Sequence, residues 1–231
     1  MKASLPRRMT AELLGTAFLV AAVVGSGIMG ERLANGNAAL ALLANTLATG
    51  AALVALISAF GPISGAHLNP AVTLASARVR AVLAARANIE GGLPWVDAAA
   101  YIAAQILGGI AGVIAVHLMF GLPVISLSRH VRSGSAQVFS EFVATFGLLS
   151  VIWGCARLQP KSVPFAVGAY ITSAYWFTSS TSFANPAVTM ARALSDTFSG
   201  IRPVDIPLFL FAQLAGAMAA TLLFRWLAPP P

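Results

Sequence analysis

The sequence predicts an all-α membrane protein of six transmembrane helices and two shorter, re-entrant half-helices, on three observations. Of its 231 residues 58% are hydrophobic and 9% charged, against roughly 25% charged in an ordinary soluble domain. Seven acidic residues scattered through apolar sequence cannot solvate a water-facing surface of this size, so most of the exterior faces lipid. Six apolar stretches reach the length of about 20 residues that a span requires: 9–30, 38–60, 97–120, 137–157, 163–181 and 205–228. Two more, 69–77 and 185–193, are too short to span, and they open alike, on Asn69-Pro70-Ala71-Val72-Thr73 and Asn185-Pro186-Ala187-Val188-Thr189.

The remaining elements repeat as well. Glu12 to Thr16 (ELLGT) matches Glu141 to Thr145 (EFVAT), and Gln105-Ile106-Leu107-Gly108 matches Gln213-Leu214-Ala215-Gly216, in the same order in both halves. The chain therefore reads as one membrane domain made by duplication, with a first repeat over 1–121 and a second over 122–231. Three spans per repeat is an odd number, so the second copy enters the membrane from the opposite side. Inverted repeats of this kind place the working site near the midplane, where broken helices meet.

The first span follows Lys2, Arg7 and Arg8, which resembles a signal peptide, but its apolar run from Ala11 to Gly30 is long enough to cross. Cytoplasmic loops carry an excess of Lys and Arg. With both termini cytoplasmic, the inner set is Lys2, Arg7, Arg8, Arg78, Arg80, Arg86, Arg157, Lys161 and Arg225, and the outer set Arg32, Arg129, Arg132, Arg192 and Arg202. Nine against five favours that orientation. The net charge of +7 does not point to nucleic acid, because these cations sit singly between apolar runs instead of forming a stripe. The lone Cys155 reads as a small apolar filler.

Asn is a good helix N-cap, and Pro suits the first helical position, where its missing N–H would be unpaired anyway. Each Asn-Pro-Ala is therefore a helix start, and about 9 residues make a half-helix of roughly 14 Å. Irregular backbone at membrane depth is tolerated where it lines a cavity. Residues 61–68 and 179–184 are thus expected to form two extended strips of carbonyls along a pore, with the positive ends of two helix dipoles converging at its centre. There Asn69 and Asn185 can donate to a passing oxygen, while a cation meets an electrostatic barrier. The mechanism implied is passive conduction of small neutral hydroxylated molecules.

At these residues the chain resembles the aquaporin, or major intrinsic protein, family over essentially its whole length. The likeness lies in the two Glu-x-x-x-Thr pairs, the Gly65-Ala66-His67-Leu68-Asn69-Pro70-Ala71 loop and the second Asn-Pro-Ala. It implies an aquaporin-like fold, a pore in each subunit and a homotetramer in the lipid bilayer. In most of the family the second motif continues with arginine, where this chain has Val188. The other three constriction positions, carried over by their usual offsets from the two asparagines, fall on Thr49, Ser173 and Ser182. The resemblance so read implies a wide, arginine-free selectivity filter walled by hydroxyls, which both donate and accept. Arg192, four residues past Val188, either supplies a displaced outer charge or snorkels to the headgroups.

The first-helix end Gly25-Ser26-Gly27-Ile28-Met29-Gly30-Glu31-Arg32 and the Asn-Pro-Ala-Val motif are similar to a bacterial branch encoded beside arsenic-resistance genes. That likeness implies a channel of the bacterial inner membrane conducting arsenite, an uncharged trihydroxide at neutral pH, together with glycerol and water. The alternatives are a general glycerol, urea or water facilitator and, from another class, a proton-coupled secondary transporter. An enzyme is not indicated, since no nucleophile–base pair, phosphate loop or metal-ligand set is present.

Glu12 and Glu141 lie within apolar helices, where a carboxylate is costly. They read as supports for the two broken loops through hydrogen bonds to free N–H groups, in preference to a proton relay. His67 lacks partner ligands for a metal and reads as pore-lining support; no metal or cofactor is expected. Gly108 with Gly112, and Gly216 with Ala220, mark helix-packing faces. Tyr175, Trp176 and Phe177 suit an interfacial aromatic belt.

Overall fold

The spanning stretches are helical for the reason the composition gives: in lipid, a helix satisfies every backbone polar group internally. The computed structural model describes residues 3–87 and 93–228, with side chains other than those of 79–87. Its helices are α1 (Leu5–Leu33), α2 (Ala38–Ser64), α3 (Pro70–Ala87), α4 (Trp95–Phe120), α5 (Ser135–Leu158), α6 (Val163–Phe177), α7 (Pro186–Arg192) and α8 (Ile206–Leu227). Of these, α1, α2, α4, α5 and α8 are long and apolar enough to cross a membrane.

Three elements differ from the sequence reading. α6 has 15 residues, about 22 Å at 1.5 Å per residue, and stops at Phe177 instead of 181, where the chain turns into the second broken loop. α3 runs on past 77 to Ala87, because the sequence after Ser76 is rich in Ala and Arg, both strong helix formers, with no Gly or Pro. The first carbonyl strip is shorter than expected. Gly61–Ser64 continue α2 through Pro62, and the helix ends at Gly65, whose φ of 90° and N–H bond to the Gly61 carbonyl (2.9 Å) make a left-handed stop. Of the cations counted for orientation, Lys2 lies outside the described residues, as do the side chains of Arg80 and Arg86.

The two halves pack alike. α1 lies against α2 and α4, and α5 against α6 and α8; α2 and α6 cross between the halves, while α3 touches α8 and α7 touches α4. Small residues allow the closest crossings. A Cβ on Gly108 or Gly112 would run into the Leu13 or Ala17 carbonyl of α1, and one on Gly216 into the Phe142 carbonyl of α5, so backbones meet here without intervening side chains. Phe18, Phe139, Phe165 and Phe211 are more than half exposed, which suits a lipid-facing surface. An extended segment over 122–134 lies across one end. Its Ser126 and Ser128 N–H groups donate to the carbonyls of Leu194 (3.0 Å) and Ala193 (2.9 Å), just beyond α7.

Candidate functional site

The site is built from the two broken loops. Ala66 and Leu68 in the first, and Thr181, Ser182 and Ala184 in the second, have φ between 45° and 61°, a region that costs non-glycine residues roughly 1–3 kcal/mol each and persists only where surroundings enforce it. Glu12 and Glu141 enforce it. Glu12 Oε1 accepts from His67 N (3.0 Å) and Ser64 Oγ (2.6 Å), and Oε2 from Leu68 N (2.6 Å) and Gln105 Nε2 (2.8 Å). Glu141 does the same for the second loop, accepting from Phe183 N (2.8 Å), Ala184 N (2.9 Å) and Gln213 Nε2 (2.6 Å). Each glutamine also donates to the threonine of its own half-helix, Gln105 to Thr73 and Gln213 to Thr189, both at 2.9 Å. The repeated glutamate and glutamine are thus joined with Thr73 or Thr189 of the half-helix into one hydrogen-bonded unit in each half, while Thr16 and Thr145 of the Glu-x-x-x-Thr pairs stay outside it with unpartnered hydroxyls.

The two asparagines cap their helices and tie the halves together. Asn69 Oδ1 accepts from Ala71 N (2.8 Å), and Asn185 Oδ1 from Ala187 N (3.0 Å) and Val188 N (3.3 Å). Asn69 Nδ2 donates to the Ala184 carbonyl and Asn185 Nδ2 to the Leu68 carbonyl, both at 2.8 Å. An amide nitrogen has two hydrogens, so each asparagine keeps one not used in these bonds. His67 stands beside them, its Nδ1 3.2 Å from Thr73 Oγ1 and its ring edge-on to Tyr101.

A cavity of about 660 Å³ runs past both asparagines. Thr49, Ser182 and Val188 line it, with His67 and Arg192. Ser173 does not. The face that α6 turns to the cavity is Val163, Val167, Ile171 and Tyr175, a stripe at intervals of four residues. Ser173 lies about 200° around the helix from both Ile171 and Tyr175, is exposed on the face shared with Phe165, and has its hydroxyl on the Tyr170 carbonyl (2.7 Å). The α6 contribution at this level is Tyr175, whose hydroxyl is 3.3 Å from Thr49 Oγ1. Of the aromatic trio read as a belt, only Trp176 and Phe177 are exposed; Tyr175 is 2% exposed.

Arg192 lines the cavity beside Val188, and it does not snorkel. Arg192 is 2% exposed, its Nε donates to the Ser199 carbonyl, and its guanidinium lies 3.3 Å over the centre of the Phe183 ring. A second guanidinium, Arg132 from the extended segment, lies 4.9 Å over the Phe183 ring and donates to the carbonyls of Gly200 (2.8 Å) and Ser180 (3.1 Å). Burial pushes the Arg132 pKa down to about 10, which leaves it cationic at neutral pH. The sequence places Arg132 only among the outer cations. No local signal marks it, since its partners are 48 and 68 residues away, whereas Tyr175 was legible in the four-residue stripe of α6. At the other end the cavity is lined by Lys161, Pro160 and Trp153. Neither Glu12 nor Glu141 reaches the cavity wall.

The arrangement is an elongated, partly hydroxylated cavity that passes two capped half-helices. A family model described as "Major intrinsic protein" matches residues 1–178. The chain belongs to the major intrinsic protein family. It is therefore a multi-pass membrane channel for small solutes, not an enzyme. The channel is 54% identical to the aquaglyceroporin AqpS of Rhizobium meliloti (strain 1021) over 98% of this chain and 92% of that one. It is 31% identical to the probable aquaporin AqpM of Archaeoglobus fulgidus over 99% of both. Among solved structures, the aquaglyceroporin from Plasmodium falciparum superposes with a TM-score of 0.68 at 20% identity, covering 98% of each chain, a likeness of fold.

Proposed function

We propose that the cavity conducts small neutral polyhydroxy solutes, arsenite and glycerol among them, together with water, down their concentration gradients. The observation that carries this reading is the wall at the Arg192 end: Thr49, Tyr175 and Ser182 offer hydroxyls that donate and accept, while Val188 adds a short apolar side chain. A trihydroxide meets matched hydrogen bonds there and, at the middle, the free amide hydrogens of Asn69 and Asn185. Arg192, with Arg132 behind the Phe183 ring, sets a positive potential that opposes cations and hydronium. The similarity to a protein described as an aquaglyceroporin supports a pore wider than a water-only one.

The remaining roles follow from the same reading. Glu12, Glu141 and His67 hold the broken loops in place, and Asn69-Pro70-Ala71 and Asn185-Pro186-Ala187 form the centre of the pore. Repeats over 1–121 and 122–231 enter the membrane from opposite sides, with both termini cytoplasmic, so that Arg192 marks the outer end. The channel works as a homotetramer in a bacterial inner membrane. A proton-coupled mechanism is disfavoured because both carboxylates are turned onto loop N–H groups, away from the cavity.

The test is stopped-flow light scattering on proteoliposomes under water, glycerol and arsenite gradients, for the parent chain and for Val188→Arg. The expected result is ready passage of glycerol and arsenite, with the substitution suppressing both more than water. Passage of water alone, or an unchanged solute ranking in Val188→Arg, would refute the reading; passage of glycerol and urea but not arsenite would make it a general facilitator.

A further inference from the structure

The described side chains that line the cavity include two full charges, Lys161 and Arg192, both positive, and no carboxylate. Arg192 is the unusual one. Arg8, Arg129 and Arg202 each pair with an aspartate, at 2.8, 3.1 and 2.9 Å. Arg192, although fully buried, meets only a carbonyl through Nε and the face of Phe183. No described residue accepts a hydrogen bond from its two terminal amino groups. A buried guanidinium without a counter-charge is costly to keep, and its free edge is a fork suited to a planar two-oxygen anion. Ser182, on the same wall and next in sequence to the Phe183 that carries Arg192, is 2% exposed and its Oγ has no hydrogen-bond partner. A residue that lines the same cavity therefore holds an unused donor, tucked just behind the wall beside Phe183.

We infer that Arg192 and Ser182 form an oxyanion site in the pore, and that its ligand is a small monocarboxylate. The carboxylate takes the two terminal amino groups of Arg192 side by side and a hydrogen bond from Ser182 Oγ. Arg132, on the same Phe183 ring, adds attraction without contact. The mostly apolar remainder of the wall favours one negative charge over two, because desolvation rises steeply with charge. Chloride lacks the two-oxygen geometry and binds more weakly. The inference rests on the reading of this cavity as the conducting pore, and an occupied site obstructs the neutral cargo.

The experiment uses the full chain with sodium glycolate as probe and sodium chloride at equal ionic strength and osmolarity as control, at neutral pH, where glycolate is ionised. Glycerol flux in proteoliposomes and the thermal unfolding midpoint in detergent are both read. Glycolate is expected to slow glycerol flux and raise the midpoint where chloride does neither. Arg192→Gln should raise the glycolate concentration needed for either effect by at least about tenfold. Ser182→Ala, which removes a hydroxyl that bonds nothing in the fold, should raise it several-fold and serves if Arg192→Gln does not fold. Glycolate acting no better than chloride in both readouts, or acting undiminished on both variants, overturns the site. Absence of glycerol flux in the parent chain would instead refute the pore reading, and the midpoint shift would still decide the site.

Discussion

Replacing Glu141 by glutamine removes one oxygen's worth of acceptor from the second broken loop and leaves its shape. In the parent, Oε1 takes the Phe183 N–H and Oε2 takes the Ala184 N–H and Gln213 Nε2. The best orientation of the amide keeps its oxygen at the Oε2 position, so its NH2 then faces the Phe183 N–H, donor against donor. One buried backbone N–H is orphaned at about 1–3 kcal/mol, and two charge-assisted bonds become neutral ones at about half their former strength. Relief from burying a carboxylate offsets part of this. The net is about 2–3 kcal/mol, or roughly 30- to 150-fold in the population of the correctly folded loop. The loop carries Ser182 to the cavity wall and presents the Ala184 carbonyl to Asn69. Loss of its geometry should therefore appear as lower glycerol flux per reconstituted channel and a lower thermal midpoint in detergent. Glu12→Gln is expected to behave alike. There the amide can face Ser64 Oγ, which can turn and accept, so again one backbone N–H, that of His67, is orphaned. An unchanged midpoint together with unchanged flux in Glu141→Gln would show that the left-handed residues at 181, 182 and 184 hold themselves, and the support argument would fail.

Other substitutions separate the competing assignments of the filter. Ser173→Phe, on the outward face of α6, should leave glycerol and water flux unchanged, whereas Tyr175→Ala should raise glycerol flux relative to water; the opposite pattern in stopped-flow traces would restore the position counted from sequence. Arg192→Ala should raise cation leak measured with a potential-sensitive dye, and Phe183→Leu, which removes the ring beneath both guanidiniums, should do so to a smaller extent. Because Arg132 titrates only near pH 10, folding holds its pKa below that of the free side chain, yet the charge is full below about pH 9. The same dye should therefore report a leak that is constant from pH 5 to 8 and grows only at alkaline pH. A leak that changed severalfold near pH 6 would assign the barrier to a histidine. Gly108→Leu should abolish folded protein on size exclusion, because its side chain would meet the Leu13 backbone, a contact no rotamer relieves.

The chain's composition and its internal repetition were enough to determine the class, the helix order and the central motif. Lipid leaves the backbone few choices, and a duplicated Asn-Pro-Ala is a local chemical device whose capping works wherever the chain places it. The Glu–Gln–Thr units were legible for the same reason: each half carries one set, so repetition marked residues that contact marks again. What sequence could not decide was the direction in which side chains point at the constriction. Ser173 was reached by counting from Asn185, but the phase of a helix is fixed by its packing against α2 and α5, and 100° per residue turns a two-residue error into the opposite face. Arg192 and Arg132 show the same limit. The one had to choose between headgroup and pore, and the other comes from a segment whose course is set by hydrogen bonds to residues far along the chain. Only the tertiary structure brings both onto one phenylalanine ring, since the fields and contacts that decide where a charge settles are properties of space, not of sequence order.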